Sequence, residues 1–132
     1  ENYGLCRDLY VRYVGLYPED SAGYNNLALT FKRTGDFVQE ERLYRLALSV
    51  DPEDTNAMNN LAVNLAHQAR FDEALSIMSD LENDLPGDAY ADLHRAKIYA
   101  SMGKDGRSFR YLKRALSQAW TLDTFHHIES LD

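Results

Sequence analysis

The sequence predicts an all-α solenoid of antiparallel helical hairpins, and three observations carry that expectation. A period of 34 residues runs along most of the chain. Within each period the apolar residues follow helical rather than alternating spacing. Glycine, aspartate and proline fall at fixed places in the period, where helices have to stop and start.

The period is read most directly from two segments. Tyr24 to Leu29 reads YNNLAL, and 34 residues later Met58 to Val63 reads MNNLAV. The same step aligns Ala28, Ala62 and Ala96, and then Phe31, Leu65 and Tyr99. It also aligns Pro18, Pro52 and Pro86, with Asp20, Asp54 and Asp88 two residues beyond each proline. One period kept across so many columns is a repeat and not a coincidence of composition.

Taken in order, residues 1–20 read as the second helix of a truncated repeat. Tyr3, Cys6, Tyr10 and Pro18 fall where Phe37, Glu40, Tyr44 and Pro52 fall one period later. Residues 21–54 form a complete unit. Its first helix is marked by Tyr24, Leu27, Ala28 and Phe31, and its second by Phe37, Leu43, Tyr44, Ala47 and Leu48. Between them Gly35 suits a left-handed helix end and Asp36 suits an N-cap, while Pro52 closes the second helix. Residues 55–88 repeat the pattern, and residues 89–122 form a divergent third unit. Leu122, Phe125, Ile128 and Leu131 are at helical spacing, so residues 123–132 are expected to begin a capping helix. A chain that starts in the middle of a repeat is expected to be part of a longer protein.

Tyr24, two residues, Leu27-Ala28, two residues and Phe31, followed by Tyr44, Ala47 and Pro52, resemble the tetratricopeptide repeat (TPR) signature. The resemblance implies a right-handed superhelix in which the first helices line a concave groove. In such domains that groove receives an extended peptide or a helix of a partner protein. The groove positions implied are Asn25, Asn26, Leu29, Lys32 and Arg33 in the first complete unit. In the second they are Asn56, Asn59, Asn60, Val63 and His67, and in the third Tyr90, Leu93, His94, Lys97 and Ser101. The doubled asparagines gain a role here, because an amide offers a donor and an acceptor to a peptide backbone whatever its side chains. Asn26 and Asn60 would be rungs one repeat apart, with His94 as a different third rung. The clamp of lysines, arginine and asparagines by which one subclass grips a terminal carboxylate is not matched.

Two places depart from the pattern. Glu40 stands where Cys6, Ala74 and Ser108 put a small residue, and is expected to lean outward or to pair with Arg7 or Arg33. In the third unit Asp92 and Arg95 replace Tyr24 and Leu27. They are three apart on one helix and suited to pair, with Arg95 also able to face Asp80, Glu82 and Asp84. Charge is segregated as well, acidic from Asp51 to Asp92 and basic from Lys104 to Arg114.

The chemistry excluded is broad. A net charge of -7 disfavours a nucleic-acid partner. No apolar run approaches the ~20 residues needed to cross a bilayer, so no membrane insertion is expected. One cysteine, Cys6, leaves no intrachain disulfide. His67, His94, His126 and His127 share no metal-ligand spacing, no glycine-rich phosphate loop occurs, and no nucleophile motif is present, so neither cofactor, metal nor catalysis is expected. The expected function is a non-enzymatic scaffold that binds another protein or peptide segment in its groove. The alternative is homo-oligomerisation through exposed terminal helices, by Leu5, Leu9, Tyr10, Tyr13 and Val14 at one end or Phe125 and Ile128 at the other.

Overall fold

The computed structural model describes residues 3–119, and the expected capping helix, with Phe125 and Ile128, lies outside them. Seven helices follow one another: α1 (Tyr3–Leu16), α2 (Ser21–Arg33), α3 (Phe37–Val50), α4 (Thr55–His67), α5 (Phe71–Asp84), α6 (Ala89–Ser101) and α7 (Asp105–Ala119). Among the described residues there is no strand, and no helix is long and apolar enough to cross a membrane. Helices α2–α3, α4–α5 and α6–α7 pack as hairpins, and α1 packs on α2 in the place of a second helix.

The repeated aspartates are N-caps. Asp20, Asp54 and Asp88 each accept a backbone N–H, from Ala22, Ala57 and Ala91, at the starts of α2, α4 and α6. Asp36 does the same for α3, accepting from the Gln39 N–H at 3.2 Å. Gly35 and Gly103 end α2 and α6 in the left-handed region, at φ 78° and 71°. At the matching place after α4 stands Ala69 at φ 59°, where a Cβ is strained.

The core is assembled from the periodic positions. Leu27, Ala28, Leu61, Ala62 and Leu65 of the first helices meet Leu43, Tyr44, Met78 and Leu81 of the second. The place held by the buried Ala57 and Ala91 falls to Gly23 one unit earlier, and the reason is steric. A Cβ on Gly23 would lie 2.9 Å from the Tyr13 ring and 3.1 Å from Val14, so its absence lets α1 settle on α2. Tyr10 and Val14 pack against the core, whereas Leu5 and Leu9 are each 55 % exposed. The outward face of α1 is therefore Leu5, Leu9 and Leu16, and Tyr10 and Val14, expected on that face, turn inward.

Glu40 does not lean outward. It is 1 % exposed and accepts a hydrogen bond from Asn64 Nδ2 at 2.9 Å. Arg7 goes elsewhere, donating to the Thr30 carbonyl and the Thr34 hydroxyl with its guanidinium 3.9 Å above the Phe31 ring. A carboxylate at this helix crossing is tolerated because an amide from the next hairpin reaches it.

The third unit exchanges apolar packing for ion pairs. Asp92 is fully buried between Arg95, at 2.7 Å, and Arg114 of α7, at 2.5 Å. Arg95 also reaches back to α5, to Glu82 Oε2 at 2.9 Å and the Met78 carbonyl at 2.6 Å. Tyr99 and Tyr111 stack across α6 and α7 with centroids 5.5 Å apart. The basic residue at the end of the basic segment, Arg114, thus serves to dock α7.

Candidate concave binding groove

The helices α2, α4 and α6 run side by side, each started by the same aspartate cap, so equivalent side chains line up across the three units. Between them lies a hollow of about 300 Å3 lined by Ala22, Asn25, Asn26, Leu29, Asp54, Asn56, Asn60 and Tyr90. Six of these, Asn25, Asn26, Leu29, Asn56, Asn60 and Tyr90, are positions that the sequence resemblance implies.

The asparagines divide by one residue of register. Asn26 is exposed, Asn60 is half-buried and Asn56 is exposed, and none of the three makes a side-chain hydrogen bond among the described residues. Asn25 and Asn59 point into the packing. Asn25 is 8 % exposed and its Nδ2 donates to Asp54 Oδ2 at 2.7 Å, bracing the cap of the next first helix. Asn59 is 1 % exposed and its Nδ2 donates to the Thr55 carbonyl one turn back at 2.9 Å. The Oδ1 atoms of both are buried without a hydrogen-bond partner. On a helix, adjacent residues face about 100° apart, so a doubled asparagine supplies one brace and one displayed amide.

The remaining positions grade from wall to rim. Leu29 is half-buried and Val63 is buried, giving an apolar strip beside the amides. His94, the third rung, is buried, with Nδ1 donating to the Tyr90 carbonyl at 2.8 Å and its ring 4.4 Å from that of Tyr90. A carbonyl only accepts, so Nδ1 carries the proton and Nε2 is left as an acceptor. Burial, followed by the charges of Lys97 and Lys32, holds His94 below the usual histidine range against the opposing carbonyl hydrogen bond. His67 is held low in the same way, by burial and then by Lys32, with its ring 5.2 Å from Phe37. Tyr90 and Lys97 are exposed at the third unit, and Arg33 is exposed at the end of α2.

Sequence reasoning missed Asp54 and Ala22. Asp54 belongs to a column that was visible as a repeat, but its double service to Ala57 N–H and Asn25 depends on contacts between units.

Residues 55–78 match a family model described as "Tetratricopeptide repeat". Among solved structures, the chain is similar to YrrB, described as a TPR protein with an unusual peptide-binding site. That likeness has 20% identity and a TM-score of 0.68, over 96% of this chain and 66% of that one. Two MamA chains, one of them a mutant, are similar at 22% identity with TM-scores of 0.58 and 0.60, over 84% of this chain and 64% of theirs. The chain spans just under two thirds of the length of each of these proteins. The match falls on the second complete unit, the 34-residue register continues on both sides of it, and the fold is shared with these proteins, so residues 55–78 are a tetratricopeptide repeat within an all-α helical repeat array.

Proposed function

We propose that the protein is a non-enzymatic scaffold whose concave groove takes an extended or helical segment of another protein. The observation that carries this reading is the pair Asn26 and Asn60, displayed one repeat apart on adjacent first helices beside the same hollow, with no side-chain hydrogen bond to the described residues. Each amide is free to donate to and accept from a ligand backbone, and Leu29 and Tyr90 give that ligand apolar surface to cover. Asn25 and Asn59 act as braces that hold the displayed amides in place.

The test is a partner capture from lysate with the wild-type chain and with Asn26→Ala plus Asn60→Ala. The double variant is expected to lose the groove partner, each amide contributing about 1 to 3 kcal/mol. Unchanged capture of every partner would remove the groove assignment.

A second reading rests on the outward face of α1, where Leu5 and Leu9 are each 55 % exposed and Leu16 is 74 % exposed. An apolar flank of this kind joins copies of a repeat array unless something else covers it. Light scattering at rising concentration tests it, with Leu5→Ser plus Leu9→Ser expected to abolish any self-association.

A further inference from the structure

Acidic side chains are nearly absent from the first helices of this chain. Of its 21 acidic residues, the three first helices α2, α4 and α6 contain only Asp92, which is fully buried and paired with Arg95 and Arg114. The basic side chains those helices leave accessible are Lys32, Arg33 and Lys97. The aspartates at the helix starts do not cancel them locally, because Asp20, Asp54 and Asp88 are each engaged with backbone N–H groups at the positive ends of α2, α4 and α6. Among the second helices α5 is strongly acidic, holding Asp72, Glu73, Asp80, Glu82 and Asp84 with no basic residue, while α3 is balanced and α7 is net basic. Lys32 and Lys97 come from first helices two units apart, yet both act electrostatically on His67 and on His94. Lys32, in the last turn of α2, and Lys97, in the C-terminal half of α6, lie toward the same end of the first helices in a chain whose net charge is -7.

We infer that the segment held in the groove carries aspartate and glutamate side chains, which Lys32 and Lys97 receive at the end of the groove away from the amide rungs. This rests on the groove reading and adds its ligand chemistry. An acidic segment would be repelled by the surface of α5 and drawn to the lysines of the first helices. A segment of protein fits better than a nucleic acid, because the amide rungs and the Leu29–Val63 strip suit a peptide backbone with apolar side chains, and among the described residues the first helices present no row of exposed aromatic rings for stacking bases. The lysines receive side-chain carboxylates, and a free chain terminus is not required.

The experiment is selection of a random dodecapeptide display library on the whole 132-residue chain, followed by titration of the enriched peptides. Enriched peptides are expected to be acidic, to bind equally with a free or an amidated C-terminus, and to lose about tenfold in affinity to Lys32→Gln plus Lys97→Gln. Their affinity is also expected to fall as salt is raised from 50 to 500 mM, through screening alone. Neutral or basic peptides that still require Asn26 and Asn60 would overturn the acidic ligand and leave the groove reading intact. Peptides that ignore Asn26 and Asn60, or no enrichment at all, would overturn both. Salt-dependent binding of a single-stranded RNA oligonucleotide that competes with the peptides would overturn the choice of a protein ligand.

Discussion

Asn64 Nδ2 on α4 donates at 2.9 Å to Glu40 Oε1 and at 2.9 Å to the Phe37 carbonyl, both on α3. One amide thus joins two consecutive hairpins and satisfies a carboxylate that is 1 % exposed. Gln68 extends the bridge, donating to Asn64 Oδ1 at 2.7 Å and to Glu41 at 3.0 Å, and Arg70 reaches Glu41 at 2.7 Å. The α3–α4 junction is held by a polar chain built on Glu40, at a position where the other units of this chain have the small residues Cys6, Ala74 and Ser108.

That relationship predicts a reversal of the usual cost of substitutions. Asn64→Leu strands the buried Glu40 and is expected to destabilise the chain by about 2 to 3 kcal/mol. Glu40→Ala removes the charge together with its need for a partner and is expected to cost less. The pair Glu40→Ala and Asn64→Leu should then cost well under the sum of the two, as read from urea unfolding midpoints at constant m-value. Additive losses would contradict the coupling.

Ala69 predicts a stabilising change. It occupies the left-handed position that Gly35 and Gly103 take in the neighbouring units, at φ 59°. Ala69→Gly relieves about 1 kcal/mol of strain, offset in part by the extra freedom of glycine in the unfolded chain. A net gain of up to about 1 kcal/mol is expected, and a loss in thermal or urea unfolding would show that Ala69 is not strained.

Stability is predicted to fall on acidification in two stages. His67 and His94 have native values below their ordinary 6.5, so the unfolded chain binds more protons and stability declines as pH drops through and below that value. For the buried His94 the slope is at most about 1.4 kcal/mol per pH unit, and His94→Gln should flatten this stage. A second stage follows below the ordinary carboxylate value of 4.5. Burial alone would raise Glu41, but hydrogen bonds from Arg45 and Gln68 outweigh it, and Arg70 holds Glu73 low. Denaturant titrations between pH 8 and about 3 measure both stages, and a flat profile from 7 to 5.5 would contradict the first.

How much of this was legible in the sequence follows from the range of the interactions involved. The hairpins and their limits were readable because helical spacing, Asp36 and Gly35 act within a few residues of themselves. The pairing of Asp92 with Arg95 was readable for the same reason, being three residues apart on one helix. Glu40 was misread because its partner Asn64 lies 24 residues away, and nothing local distinguishes that asparagine from the others of α4. The groove positions aligned by repeat register alone, but which asparagine of each pair faces outward depends on Asp54 and Thr55 capturing Asn25 and Asn59.

The most direct test of the account is a 15N correlation spectrum of the chain titrated with a peptide enriched from the display library. Binding in the groove predicts that the side-chain NH2 signals of Asn26 and Asn60 and the backbone signals of Leu29, Asn56 and Tyr90 shift together and saturate at one ratio. Shifts confined to the second helices α3 and α5, or to the outward face of α1, with Asn26 and Asn60 unmoved, would contradict it.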